Sequence, residues 1–318
     1  MSIIEQAAKR LEQLQRAGVA VPWSATGLHP PEEANAPLAP EAGATPLAAP
    51  AAVEPGFAPL SMPTPPRKRT PRAAVRPTAT VNLDLDRLNQ AGYLVPHHAR
   101  SEVAQQFRKM KAPLLKNARQ PPEGYAGPAS LIMVTSALPG EGKTFCAINL
   151  AMSMALEVDT SVVLVDADVM RPSVLDRIGV PGPAIGLLDL LTDEQLPLSE
   201  ALLHTNIPKL SILPSGTPNT RSTELLGSTL MESLLYELAT QYADSIVIFD
   251  APPLLLTTEA RVLASRVGQV LMVVEAWKTQ HSVVTEAFAA LENCPLVMSV
   301  LNKCAPTPPN RHHGYYYG

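Results

Sequence analysis

An α/β fold is predicted for this chain, with a mostly parallel sheet flanked by helices, and three observations predict it. Six short apolar runs, most of them rich in Val and Ile, lack the polar alternation of a half-solvated strand, so both faces of each are expected to be covered. Helical patterns separate most of these runs, as strand–helix–strand crossovers require. Between the first run and the first following helix stands a glycine-rich turn that ends Gly142-Lys143-Thr144.

The elements follow in chain order. Residues 1–18 predict a short N-terminal helix. Ser2 and Glu5 form a capping box, and Ile3, Ala7, Leu11 and Leu14 share one apolar stripe. Glu5/Lys9 and Glu12/Arg16 pair at i, i+4, and Gly18 is placed to stop the helix. A helix this short is marginal alone, so the stripe is expected to dock on a partner; the alternative is a frayed tail. Residues 19–80 predict a disordered Pro/Ala-rich linker. Positions 21–80 hold 14 Pro and 14 Ala, a composition that favours extended chain over a packed core. Arg67, Lys68, Arg69, Arg72 and Arg76 close it, either as a solvated linker end or as a weak contact with an anionic membrane surface or acidic partner. Residues 81–305 predict the folded domain, with strands at 131–135, 162–165, 210–213, 246–249, 270–274 and 297–301. Its helices are expected at 144–157, 222–242, 259–265 and 282–292. Residues 306–318 predict a flexible tail that carries Tyr315, Tyr316 and Tyr317, three of the chain's seven tyrosines.

Composition narrows the function. The 318 residues carry 25 Lys and Arg against 29 Asp and Glu, a net charge of −4. Without the N-terminal helix and linker, 17 basic and 23 acidic residues remain, net −6. That balance argues against nucleic acid as a partner. Cys146, Cys294 and Cys304 have no metal-ligand spacing, which fits a reducing compartment and excludes a disulfide scaffold. No run of about 18 apolar residues and no signal peptide is read.

The turn after the first strand carries the chemistry. Ala137-Leu138-Pro139-Gly140-Glu141-Gly142-Lys143-Thr144 matches the phosphate-binding loop G-x-x-x-x-G-K-[ST] with Ala137 at the first glycine position. Ala is tolerated there if its φ stays below zero. Gly140 and Gly142 let the backbone approach phosphate oxygens, and the helix N-terminus cradles the anion. Lys143 then reaches the β- and γ-phosphates, and the Thr144 hydroxyl is placed to ligate Mg²⁺. Two further strands end in acidic loops, Asp166-Ala167-Asp168 and Asp250-Ala251-Pro252-Pro253. Both loops belong on the same face as the phosphate loop. Three carboxylates beside phosphates repel one another unless a hard cation intervenes, and Mg²⁺ is the oxygen-loving choice. Thr144, Asp168 and Asp250 are expected in its shell. Asp166 is expected to accept the proton of an attacking hydroxyl, or the roles of Asp166 and Asp168 are exchanged. Tyrosines on a flexible end bury nothing, so Tyr315, Tyr316 and Tyr317 read as phosphoacceptors; the alternative is an aromatic sticker. Tyr315 lies 12 residues beyond Lys303, so an extended tail spans roughly 40 Å and reaches its own site or a neighbour's.

These motifs, in this order, resemble the bacterial tyrosine kinases, which combine a Walker A loop, an Asp-x-Asp Walker A′, a Walker B Asp and a C-terminal tyrosine cluster on a P-loop NTPase fold. The resemblance covers about residues 81–318. It is closest to the exosortase-linked tyrosine autokinases of exopolysaccharide loci. The segment Gln105-Gln106-Phe107-Arg108-Lys109-Met110-Lys111 looks like their region before the kinase core, and Leu213-Pro214-Ser215-Gly216 followed by Glu224-Leu225-Leu226 is similar too. The resemblance implies an ATP- and Mg²⁺-dependent autokinase that phosphorylates its tail in trans within a homo-oligomer and regulates exopolysaccharide polymerisation or export. It implies ATP contacts from 137–145, Phe145 included, and places Asn302 and Lys303 near the adenine. It implies an activator, a separate membrane-bound polysaccharide co-polymerase (a chain-length determinant), and a cytoplasmic protein recruited by it to the inner face of the membrane. The family's oligomerisation pattern Glu-x-x-Arg-x-x-Arg falls here on Gln105, Arg108 and Lys111, and its Asp-x-Asp-x-Arg has Met170 at the Arg position, with Arg171 next. A second reading is a partitioning or positioning ATPase of the same superfamily, a nucleotide-driven switch. Such proteins usually carry an additional lysine five residues before the main one, where Leu138 stands here.

Overall fold

The computed structural model describes residues 80–304 except 99, 126, 183 and 243. The expected N-terminal helix, the linker up to residue 79 and the tyrosine tail lie outside the described residues. Thr80, counted above with the linker, already belongs to a strand, β1 (Thr80–Val81), which pairs with residues 204–205.

The other strands are β2 (Leu131–Ser136), β3 (Ser161–Asp166), β4 (Leu203–Thr205), β5 (Leu210–Leu213), β6 (Ser245–Asp250), β7 (Gln269–Glu275) and β8 (Val297–Asn302). They form one eight-stranded sheet in the order β1-β4-β5-β3-β6-β2-β7-β8. Only the β4–β5 pair is antiparallel; the others are parallel. The described α-helices are α1 (Leu85–Gln90), α2 (Glu102–Arg119), α3 (Lys143–Ala155), α4 (Val174–Ile178), α5 (Leu187–Thr192), α6 (Leu198–Ala201), α7 (Ser222–Gly227), α8 (Thr229–Gln241), α9 (Thr258–Ala264) and α10 (His281–Ala289).

Strand side chains alternate between two cores, because successive residues of a strand point to opposite faces. Leu131, Met133, Val163, Val165, Val247 and Phe249 pack beneath α5 to α10. Ile132, Val134, Val162, Leu164, Ile246 and Ile248 pack against α1 to α4. This double covering explains why the central runs show no polar alternation.

Two expectations change, and several short elements were not expected. The run at 297–301 was read as covered on both faces, yet β8 is the sheet edge and Leu301 is 64 % exposed. The single helix expected at 222–242 is two, α7 and α8. Ser228 between them is extended (ψ 166°), and its hydroxyl accepts from Met231 N at 3.3 Å. Serine after Gly227 thus opens a new helix rather than continuing the old one. The short strand β4 and the helices α1, α4, α5 and α6 carried too little periodicity to be read. Among the described residues, no helix is long and apolar enough to cross a membrane.

Candidate nucleotide site

The phosphate loop leaves β2 at Ser136 and enters α3 at Lys143. Gly140 (φ 86°) and Gly142 (φ 100°) hold the left-handed conformations that the turn needs. Ala137 is buried and is not among the residues of positive φ, so alanine is accommodated at the first glycine position. Gly142 caps α3 without a side-chain bond, which leaves the amides of the first turn to an anion.

A second layer holds this loop. Glu141 is buried and turned inward, where its carboxylate accepts from Leu138 N (2.7 Å), Glu275 N (3.3 Å) and the Thr279 hydroxyl. Asn302 donates to Glu141 O at 2.8 Å, and Lys303 Nζ donates to Gly140 O at 2.7 Å. Asn302 and Lys303, expected beside the adenine, therefore fasten the loop to the end of β8. Pro139 is exposed on the rim; Phe145 turns its ring toward Tyr93 and Phe107, at centroid distances of 5.2 and 6.4 Å.

On the other side of the loop lie the acids. Asp166 and Asp250 end adjacent strands and are register partners. Lys143 Nζ sits 2.7 Å from Asp168 Oδ2 and 3.5 Å from Asp250 Oδ1. Thr144 Oγ1 lies 3.3 Å from Ser173 Oγ and 3.4 Å from Lys143 Nζ. Asp166 Oδ2 accepts from Ser173 N and Val174 N (3.0 and 2.9 Å) and so caps α4. Burial, and then the charge of Asp250, push the Asp166 carboxyl up to about 7. Burial also raises Asp250, although Lys143 opposes it. Burial works against the Lys143 charge, but Asp250 and Asp168 outweigh it and strengthen its hold on its proton.

The donors fit Mg²⁺. Asp166 Oδ1 and Asp250 Oδ2 are buried with no hydrogen-bond partner, and a buried orphan carboxylate oxygen calls for a cation. No group of three or more acidic, histidine or cysteine side chains converges on one point among the described residues.

Above the loop opens a cavity of about 700 Å³, within the range of small-molecule sites. Lys143, Thr144 and Asp168 line it, with Met170, Arg171 and Leu256 farther out. Asp166, the first choice as base, is 1 % exposed and does not line the cavity, whereas Asp168 does. Of the residues matched to the oligomerisation pattern, Gln105 and Arg108 are exposed. Lys111 is instead buried, with Nζ 2.5 Å from Ser153 O and 2.7 Å from Glu157. Ser173, Thr279 and Leu256 were not foreseen as site residues. Ser173 had a signal, since a serine after Pro172 is a ready helix start.

A glycine-rich loop on a helix N-terminus, facing acids at the ends of two neighbouring parallel strands, defines a P-loop nucleotide-binding α/β protein. No family model matches the chain, but individual relatives do. It is 32 % identical over 187 residues to the tyrosine-protein kinase YwqD of Bacillus subtilis, covering 58 % of this chain and 76 % of that one. It is 31 % identical over 192 residues to the putative tyrosine-protein kinase EpsB of Ralstonia nicotianae, covering 59 % of this chain and only 25 % of that longer one. Among solved structures, the VpsO kinase domain superposes with a TM-score of 0.51 at 28 % identity, covering 62 % of this chain and 97 % of that one. The chain belongs to the bacterial tyrosine-protein kinases.

Proposed function

We propose that the protein is an ATP-dependent tyrosine autokinase that phosphorylates Tyr315, Tyr316 and Tyr317 of its own tail. One observation carries the reading: Lys143 is clasped by Asp168 and Asp250 at the floor of a cavity, beside the uncapped start of α3. Phosphoryl transfer needs positioning and charge neutralisation more than covalent chemistry, and these groups supply both. Lys143 and the loop amides hold the phosphates. With the roles of Asp166 and Asp168 exchanged, Thr144, Asp166 and Asp250 would hold Mg²⁺, directly or through water, and the cation would neutralise charge on the transferring group. Asp168, on the cavity wall, takes the tyrosine proton, and Asp166 fixes the loop that carries it. Asn302 and Lys303 keep the phosphate loop in register.

By resemblance to the exosortase-linked subgroup, phosphorylation occurs in trans within a homo-oligomer to which the α2 face bearing Gln105 and Arg108 contributes. By the same resemblance a separate membrane-bound polysaccharide co-polymerase recruits the cytoplasmic protein to the membrane and activates it, and tail phosphorylation regulates exopolysaccharide polymerisation or export. The test is to incubate the full chain with ATP and Mg²⁺, with and without the activator's cytoplasmic segment, and map phosphotyrosine by mass spectrometry. Phosphate on residues 315–317 that rises with the segment is expected. A chain that binds ATP but carries phosphate on no tyrosine under either condition would overturn the reading.

A further inference from the structure

We propose that Trp277 is the platform on which the purine of the nucleotide stacks. This rests on the nucleotide reading above and adds the residue that holds the base. Trp277 is 93 % exposed, so it buries nothing within the described protomer. Its φ is +64°, a conformation that a bulky side chain adopts only under local constraint. Such strain at an exposed aromatic is a functional signal rather than a packing one.

Trp277 takes this φ in a turn that Lys278 N and Thr279 N close on Glu275 O, and that turn is joined to the phosphate loop. Trp277 follows β7, and its loop is tied to the phosphate loop on both sides: Glu275 N and the Thr279 hydroxyl both donate to the carboxylate of Glu141. Ala276 N donates to Asn302 O at 2.9 Å, joining the same loop to the end of β8. Trp277 lies two residues from Glu275, so its backbone is within about 7 Å of a residue that touches Glu141.

Topology sets which way a nucleotide runs. Lys143, which meets the terminal phosphates, leans toward Asp168 and Asp250 on the β3–β6 side of β2. On this proposal the nucleoside runs the other way, over the ends of β7 and β8, beyond the cavity that Lys143 lines. Glu275 and Asn302 are register partners there, and the loop after Glu275 presents Trp277. Lys278 and Lys303 flank it, both held by Glu275 Oε2 at 3.2 Å. They place positive charge where phosphate gives way to base. An aromatic face stacks on any purine and is worth a large share of a base's binding.

The test compares ATP with inorganic tripolyphosphate, which has no base. Affinities of the full chain for each are measured by calorimetry in the presence of Mg²⁺, for the unaltered protein, Trp277→Gly and Trp277→Phe. Glycine relieves the positive φ, so Trp277→Gly keeps the fold. Trp277→Gly is expected to weaken ATP by at least about fivefold and leave tripolyphosphate unchanged, while Trp277→Phe keeps most of the ATP affinity. In a Trp23→Phe background, ATP should also quench the fluorescence of Trp277 and tripolyphosphate should not. Unchanged ATP affinity in Trp277→Gly, or equal loss for both ligands, would overturn the platform while the nucleotide site stands. Binding of neither ligand to the unaltered protein would overturn both.

Discussion

At the scale of single residues, the site is a balance of charge held in a dry place. Asp166 titrates near 7 because it is buried beside Asp250. A cation arriving between them favours both ionised forms and lowers that value. Binding of Mg²⁺-ATP near pH 7 is therefore expected to release protons, read as a dependence of the calorimetric heat on buffer ionisation enthalpy. Heats identical in all buffers would contradict it. Gly142 is equally constrained: its φ is 100°, and an added Cβ would lie 2.1 Å from Asn302 Nδ2. Gly142→Ala is expected to weaken ATP by about tenfold or more with unchanged circular dichroism; normal affinity would show that the loop tolerates a side chain. Much of this was legible, because Gly-Lys-Thr and the acidic strand ends are local signals. What was not legible was direction. Nothing in the sequence says that Glu141 faces inward, that Asp166 spends one oxygen on capping α4, or that Asn302 and Lys303 bind the loop. The Glu141, Asn302 and Lys303 contacts join residues more than a hundred positions apart, and the Asp166 cap depends on how the loop to Ser173 folds back.

At the scale of elements, the central strands were readable because helices cover both faces and leave no room for polar alternation. The exposure of the edge strand β8, which was itself read at 297–301, the short β4 and the break at Gly227-Ser228 were not, since solvent and capping override propensity there. Helix α2 shows another limit. Its buried stripe is Ala104, Phe107, Lys111, Leu114 and Leu115, and a lysine in an apolar stripe disguises the period. Lys111 belongs there because it bonds the C-terminal end of α3 through Ser153 O and pairs with Glu157 just beyond it. Cations are favourable at that end of a helix. Lys111→Met should cost about 1–3 kcal/mol in urea unfolding at pH 7. Glu157 is held below the usual carboxylate range, chiefly by its hydrogen bond to Lys111. Its folded value is depressed, so its part of the stability is present above about pH 4.3 and is lost as pH falls below that. The gap between the unaltered protein and Glu157→Gln should therefore shrink between pH 7 and pH 3.5; a gap independent of pH would contradict the pairing.

At the scale of the whole molecule, the proposed reading joins a negatively charged domain to a tail of three acceptors. Residues 81–318 carry a net −6, and each phosphotyrosine adds about −1.5 to −2. A neutral tail can enter an acidic site, and a phosphorylated one is repelled from it. The unphosphorylated protein is thus expected to form the larger species in light scattering, and the fully phosphorylated one to move toward monomer. Salt should blunt the difference, because exposed charges are screened within about 8–10 Å. Equal masses, or a heavier phosphorylated form, would exclude release by repulsion. The central claim is that the site around Lys143 transfers phosphate to tyrosine, and its most direct test is the intact mass of Lys143→Met beside that of the unaltered chain after incubation with ATP and Mg²⁺. The account predicts phosphate on the tail of the unaltered chain and none on a folded Lys143→Met. A folded Lys143→Met that labels its tail at the normal rate would contradict it.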